Sequence, residues 1–438
     1  QFEMKTVEMK TVGSVDLEHK GGIGVRKSYL ALSMVALLTV ALMIGSSLEV
    51  AAQGFNREAM AQRYKNAEPG ERFLIGHITY TLSQEYAMIV YQAIEQATRQ
   101  FGLDFMGAVA HSDADWIEIT ESMIAAGAKA IIYNLPSMAV MPELAAIANE
   151  NDVFIATMFG YTGDIMPGDF GPRWVIDNTP LSDAQTFFPL VLLMEKMRQD
   201  GRTKLLIHQA SRSAATVSTV YINLGIFQAL QRYPEMELMG FQYGEWNFEG
   251  GRAAAEASLA IRSDYEGFWA ANDSQGMGAL RALEDRGLRL GPYTASRDME
   301  MSTAEEILKG NFLATSGFAI PYFGGRLVAM LYDMCVGAWY PAPDEMLQTG
   351  TLDVYGYPGE LEALAKSAGI ENYPGFNIGP TKDNLEQILR QMVASTPEYP
   401  YDFRLMSISK TRELGLTYDR HAGAGTYLGS HNFYFPAQ

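Results

Sequence analysis

Several stretches of this chain switch abruptly from apolar residues to side chains that hydrogen-bond well. "FLIGHITY" is followed by Thr81, Ser83, Gln84, Glu85 and Tyr86, "AIIYNLP" ends on Asn134, and "VFIATMFG" ends on Met158 and Phe159, with Tyr161 just beyond. Further along, "KLLIHQA" gives way to Ser211, Arg212 and Ser213, "ELMGFQY" to Tyr243 and Trp246, "GFWAAND" to Asn272 and Asp273, and "PYTASRD" to Arg297 and Asp298. These are hydroxyls, amides, carboxylates and flat aromatic faces, without metal-ligand spacing. The set suits a neutral polyhydroxylated molecule, because carboxylates and amides each take two hydroxyl hydrogen bonds and rings cover the C–H faces of a sugar. Each residue also has a plainer role open to it. Asn272 or Asp273 can cap the next helix, Tyr86 and Phe159 can belong to a core, Asn134-Leu135-Pro136 can be a turn, and Glu85 and Arg212 can be solvated loop charges.

Catalytic patterns are sparse. No G-x-S-x-G or H-E-x-x-H string occurs, the six histidines are scattered, and the single cysteine, Cys335, sits in the apolar run "LVAMLYDMCVGAW". That run reads as a helix holding a buried thiol. A carboxylate pair such as Asp273 with Asp298 is the hydrolytic arrangement the residues leave open. The expectation is a protein that is not an enzyme and needs neither a metal nor another cofactor.

The elements that must position these residues follow a regular order. In "SQEYAMIVYQAIEQATRQFG" apolar residues recur at helical spacing from Tyr86 to Phe101, and Gly102 ends the helix. Strand-like "LDFMGAVA", a helix through "WIEITESMIAAG", the strand "AIIYNLP", a helix through "MPELAAIANEN" and the strand "VFIATMFG" come next. A helix at 182–200 reopens the alternation. It runs through "KLLIHQA", "STVYINLGIFQALQRY", "ELMGFQY", "GGRAAAEASLAIR", "GFWAAND" and "MGALRALEDRG" to a last strand in "PYTASRD" and a helix at 302–309. Strands and helices alternating through short loops predict α/β architecture, with parallel sheets covered on both faces in two domains. Beyond Pro341 the alternation weakens, although "ELEALAKSAG" and "NLEQILRQMVAS" read as helices. The aromatic and glycine-rich tail from Tyr399 gives no clear element, and its G-A-G-A-G lacks the strand and helix of a phosphate loop.

Composition narrows the class. The chain has 438 residues, 48% of them hydrophobic, and a net charge of −18. That is enough apolar material for two domains and excludes both a disordered chain and a basic nucleic-acid surface. Near the amino terminus Arg26 and Lys27 precede an uncharged run from Ser28 to Ser47, and Val50 and Ala52 stand three and one residues before a cleavage point after Ala52. This is the build of a secretory signal; an uncleaved anchor is the alternative, since the run is near bilayer-spanning length. Residues 1–25, with "MKTV" twice, lie upstream of the signal and are expected to be absent from the mature protein. Residues 53–71 read as a polar leader.

The order of elements, with "IGHITYTLSQEYAMIVYQAIEQATRQFG", "GAKAIIYNLPS", "FWAANDSQGMGALRALEDRG" and "ILKGNFLATSGFAIPYFGGRLVAMLYDMCVG", resembles the type 1 periplasmic binding proteins. The branch concerned is the ribose- and galactose-binding one that serves sugar ABC transporters. The resemblance spans about residues 72–355. It implies two doubly wound parallel-sheet lobes joined by a three-segment hinge: an N-lobe of 72–177 plus 320–347, a C-lobe of 178–319 plus 348–376, and a C-terminal extension of 377–438. Family sugar contacts fall on Asn272, on Asp298 (where the usual Gly-x-Asp reads Ser296-Arg297-Asp298) and on Tyr86, with Gln84 in place of a common asparagine. The Asp-Arg pair of many members is replaced by Met158 and Phe159, and an arginine expected before Gly225-Ile226 reads Ile222. Two charged clamps are therefore missing, with Arg212 and Arg297 left to compensate. The expected ligand contacts are Gln84, Tyr86, Phe159, Arg212, Asn272 and Asp298, with Asp273 and Ser274 turning and capping the next helix. The resemblance implies a monomer exported to the periplasm, capturing a sugar or polyol by lobe closure and delivering it to an ABC transporter permease. The same binding would also serve a co-receptor for a chemoreceptor or histidine kinase.

Overall fold

A computed structural model describes residues 55–160, 165–179, 182–209, 217–317, 320–348, 353–373, 376, 378, 399 and 402–415. The signal segment, Arg212 and "NLEQILRQMVAS" lie outside the described residues. The chain builds two six-stranded sheets. The first is ordered β2-β1-β3-β4-β5-β11, from Leu74–Thr79 (β1), Asp104–Val109 (β2), Ala128–Asn134 (β3), Phe154–Met158 (β4), Trp174–Asn178 (β5) and Leu347–Gln348 (β11). The second is ordered β7-β6-β8-β9-β10-β12, from Lys204–Gln209 (β6), Glu237–Tyr243 (β7), Gly267–Ala270 (β8), Thr294–Arg297 (β9), Ala314–Gly317 (β10) and Asp353–Gly356 (β12). All described pairings between strands are parallel except β10 with β12, which is antiparallel.

Both sheets share one winding. The chain lays down an inner strand, β1 or β6, steps out to the edge strand β2 or β7, then returns to the other side at β3 or β8. That reversal leaves a crevice at the carboxyl ends of β1 and β3 in one sheet, and of β6 and β8 in the other. The chain passes between sheets after β5, after β10 and after β11, so each sheet is built from separate stretches of sequence.

The helices are Arg57–Tyr64 (α1), Glu85–Gln100 (α2), Asp113–Ala125 (α3), Met141–Glu150 (α4), Ser182–Gln199 (α5), Val217–Arg232 (α6), Phe248–Ile261 (α7), Asp273–Asp285 (α8), Met301–Lys309 (α9), Ile320–Cys335 (α10), Pro358–Ala368 (α11) and Ile408–Glu413 (α12). On one face of the first sheet Ile78, Ile131, Tyr133, Ile155 and Trp174 bury with Met123, Leu144 and Ala145 of α3 and α4. In the second lobe α5, α6 and α11 share a core with Ile207, Trp269 and Val354, while α7 and α8 bury Leu206, Phe268 and Ala270 on the other face. The α7–α8 contact is close because both helices present glycine: a Cβ on Gly251 would stand 2.1 Å from Gln275 O, and one on Gly278 1.9 Å from Phe248 O. His77 on β1 and His208 on β6 are buried, and desolvation pushes their pKa values down, to about 4 and about 3.

Two terminal segments are structural parts of the first lobe. In the stretch read as a polar leader, Arg57 pairs with Glu345 at 2.5 Å, Ala61 is buried, and the Ala67 N–H donates to Cys335 O at 2.9 Å. Tail residues 402–415 dock on α2 and α10. Phe403 is fully buried against Gly325, and its N–H donates to Gln100 Oε1 at 2.8 Å. The buried carboxylate of Asp333 accepts from Ser407 Oγ at 2.7 Å, Ile408 N at 2.6 Å and Ser409 N at 3.0 Å, closing the amino end of α12. Cys335 is buried as well, and burial pushes its thiol up, away from nucleophilic use.

Asp333→Asn replaces charge-assisted hydrogen bonds with weaker neutral ones and leaves an amide N–H₂ facing backbone donors. The tail should loosen, with a stability loss of about 1.5–3 kcal/mol. Limited proteolysis should cut between residues 399 and 415 several-fold faster than in the unaltered protein, and thermal unfolding should give the accompanying shift.

Candidate functional site

The first lobe brings its polar strand ends together at the β1–β3 reversal. Tyr86, in the first turn of α2, donates its hydroxyl to Asn134 Oδ1 at 3.2 Å, and Asn134 Nδ2 donates to Thr79 Oγ1 at 3.2 Å. The Tyr86 ring meets Phe159 edge-on, centroids 5.8 Å apart. Phe159 lies at the end of β4 with φ +60°, a left-handed conformation costly for a bulky residue. Buried Asp177 holds the turn beside it: its Oδ2 accepts from Thr157 Oγ1 and from Gly160 N, each at 2.6 Å. Gln84 precedes α2 without capping it and accepts from the Tyr80 hydroxyl.

The second lobe presents a denser polar cluster at the ends of β8, β9 and β10. Asp273 is fully buried and accepts from Ser296 Oγ, from Thr315 Oγ1 at 2.8 Å and from Glu300 N at 2.6 Å. Glu300, also buried, accepts from Ser274 Oγ at 2.8 Å. Burial pushes both acids up, Asp273 to about 8, and neighbouring carboxylates add to it: Asp298 acts on Asp273, and Asp273, Glu85 and Asp298 act on Glu300. Asp298 follows β9 with φ +110°. Burial raises its pKa, while the adjacent Arg297 guanidinium, at 3.6 Å, works the other way.

Arg297 is itself 1% exposed and gives one hydrogen bond, from Nη2 to Gln185 Oε1 at 3.1 Å. Its Nε and Nη1, and the Nε2 of the fully buried Gln185, have no acceptor among the described residues. Buried donors left in that state cost about 1–3 kcal/mol each.

The two clusters face one another. Asp298 lies within electrostatic reach of Tyr80 and Tyr86, and with burial it raises both phenols. Glu85 Oε1 accepts from Met301 N at 2.9 Å, so a first-lobe carboxylate sits on the amino terminus of α9 in the second lobe. Tyr86 thus touches Phe159, Gln84 is bonded to Tyr80, and Asp298 lies near both phenols. Arg212 lies outside the described residues.

Asn272 is at the predicted strand end but is engaged by the protein itself. Its Oδ1 caps α8 by accepting from Gln275 N at 3.0 Å, and its Nδ2 donates to Trp246 O at 3.1 Å, pinning a turn in which Glu245 and Trp246 both have positive φ. The assignment of capping to Asp273 and Ser274 is thus corrected. Asp273 ties β9 and β10 to α8, and that work also removes it from any solvent-facing carboxylate pair with Asp298. Met158 and Ile222 are fully buried and offer no polar contact where the usual clamps are missing. Sequence reasoning did not single out Gln185, Glu300 or Tyr80. Gln185 and Glu300 lie inside or beside helical runs, where nothing local marks them as facing a cleft, and Tyr80 closes an apolar strand. Among the described residues no group of His, Cys, Asp and Glu could hold a metal ion, and no helix is long and apolar enough to cross a membrane.

Residues 190–338 match the sequence profile of the periplasmic binding protein domain. No curated protein sequence matches the chain. Solved structures with a similar fold include a twin-arginine translocation pathway signal protein from Burkholderia phytofirmans, 18% identical, with 69% of this chain and 95% of that one covered and a TM-score of 0.61. An ABC transporter solute-binding protein from Actinobacillus succinogenes with bound D-allose is 17% identical over 67% of this chain and 100% of that one, TM-score 0.59. The binding protein of the arabinose ABC transporter from Shewanella, bound to L-arabinofuranose, is 17% identical over 72% and 98%, TM-score 0.54. At these identities the likeness establishes the fold.

The raised acids set a pH signature. A carboxyl whose folded pKa lies above its unfolded value stabilises the fold below the unfolded pKa, and that stability is lost as pH rises through the folded one. For Asp273 the loss runs from about pH 4 to about 8. The two buried histidines, with depressed pKa values, destabilise only as pH falls below about 6.5. Between pH 6.5 and 8.5 the ligand-free protein should therefore lose thermal stability, and Glu300→Gln should flatten that decline. A melting temperature equally steep in both proteins would remove the Asp273–Glu300 pair as its cause.

Proposed function

The chain carries the fold of the type 1 periplasmic binding proteins, of the ribose- and galactose-binding kind, and from that premise we propose that it is a solute-binding protein for a neutral sugar or polyol. Its ligand lies between the two lobes, and the loaded protein delivers it to the membrane permease of an ABC transporter. It acts as an exported monomer in the periplasm and does no chemistry on its cargo.

The observation that carries this reading is the convergence of Tyr86, Phe159 and Gln84 with Asp298 across a cleft already bridged by Glu85 and Met301. Rings supply faces for C–H surfaces, and carboxylate and amide groups take hydroxyl hydrogens. A ligand touched from both sides stabilises the closed arrangement because only that arrangement contacts it twice. Micromolar capture requires about 8 kcal/mol net, within reach of a few charge-assisted hydrogen bonds at about 1.5–3 kcal/mol each together with ring stacking. The sugar-bound neighbours from Actinobacillus and Shewanella use the same architecture, which favours a carbohydrate over other solutes of similar size.

A thermal-shift panel of D-galactose, D-allose, L-arabinose, D-ribose, glycerol and short oligosaccharides should find at least one stabilising ligand, since stabilisation follows affinity by mass action. Asp298→Ala should weaken the best binder at least tenfold by calorimetry while the protein stays folded. A panel with no response, at concentrations up to tens of millimolar, would remove the reading.

Closure generates a separate expectation. Glu85→Ala deletes the carboxylate that caps α9 from the opposite lobe, a loss of about 0.5–2 kcal/mol in the closed state alone. Small-angle scattering of the ligand-free variant should show a larger radius of gyration, and affinity should fall roughly two- to thirtyfold with the ligand order unchanged.

A further inference from the structure

The sugar contacts assigned so far leave one part of the cleft unexplained. At the carboxyl end of β9 the Arg297 side chain turns to the α5 side, the face on which Ala295 joins the α5 core, and reaches Gln185 in the first turns of that helix. The site is built. Gln185 is held from both ends, its carbonyl accepting from Ser316 Oγ and its Oε1 accepting from Arg297. Yet Nε and Nη1 of Arg297 and Nε2 of Gln185, on side chains 1% and 0% exposed, find no acceptor among the described residues. Beside them Asp298 Oδ1 stands 3.6 Å from Arg297 Nη2, too far for a hydrogen bond and near enough for the two charges to cancel. Donors and an acceptor thus lie side by side without satisfying one another, and the pair is neutral as a whole.

The complement of such a pair is a group that accepts from nitrogen and donates to a carboxylate. A hydroxyl does both, and two neighbouring hydroxyls do so for both residues at once. A carboxylate or phosphate would meet the donors but would also face the Asp298 oxygen with nothing to give it. We infer that Arg297 and Gln185, alongside Asp298, form a subsite that reads adjacent hydroxyls of a neutral ligand and decides which sugar is accepted. This rests on the solute-capture reading and assigns to Arg297 the cationic contact that Met158, Phe159 and Ile222 leave absent elsewhere.

The test is a ligand–variant cycle. D-galactose, D-allose, L-arabinose and D-ribose are measured by calorimetry beside their mono-deoxy analogues and beside galacturonate and glucuronate, on the unaltered protein, Arg297→Gln and Gln185→Met. For the best parent sugar, removing one hydroxyl should cost at least tenfold in the unaltered protein, and that same removal should cost less than threefold in Arg297→Gln or Gln185→Met. A residue that merely supports the fold would weaken every ligand by a common factor and leave the deoxy penalty intact, which overturns the inference. So does a series in which no single deoxygenation matters in the unaltered protein, a result that needs no variant to fold. Uronates binding tenfold tighter than their parent sugars would make the donors an anion site and overturn it too. In all three cases sugar capture survives. Failure of every sugar to bind the unaltered protein removes the capture reading and this inference together.

Discussion

A buried polar group costs free energy unless another group meets it, and the cleft of this protein is organised around that constraint. Asp273 meets it completely, with Ser296, Thr315 and the Glu300 backbone all donating to one carboxyl. Asp177 does the same in the first lobe, with Thr157, Thr179 and Gly160. Each carboxyl fastens the strand ends and turns from which the cleft residues project. Arg297 and Gln185 stand at the other extreme, buried as deeply with donors left over. The contrast separates side chains that build the cleft from side chains that await something in it.

Strain follows the same division. Phe159, Trp246 and Asp298 hold left-handed backbone conformations, each just beyond the end of a strand. Such conformations persist only where the surroundings over-determine them. Asp177 supplies that restraint beside Phe159, Asn272 beside Trp246, and the short parallel hydrogen bond from Asp298 N to Ser316 O at 2.6 Å supplies it at the end of β9. Each lobe carries a glycine-tight helix contact, α7 on α8 in the second and α10 on α2 in the first. Glu85 joins the two lobes, since its hydrogen bond to α9 exists only while they are together.

The period of the apolar residues carried most of the fold into view. The helices from Tyr86 to Phe101 and through "GGRAAAEASLAIR" bury one clear face and so print their spacing on the sequence. Trp174–Asn178 was missed because three apolar residues among glycines and prolines give no period. Ala314–Gly317 was missed because its inward groups are Thr315 and Ser316, which hydrogen-bond where most strands bury hydrocarbon. The docking of residues 402–415 was equally hidden. Asp333 lies in an apolar helix more than seventy residues upstream, and only folding brings it to Ser407.

What the sequence determined by itself was the list of polar strand ends and, through alternation, the side of the sheets on which they gather, since both are local properties of a chain that must bury its apolar faces. Tertiary structure decided what each of those side chains is for. Asn272 caps a helix and pins a loop, Asp273 ties strands together, and Glu85 bridges the lobes, because hydrogen-bond partners are fixed by proximity between segments far apart in the chain. The number of donors that remain unmet is a property of the folded interior alone, and it is there that Arg297 and Gln185 become visible.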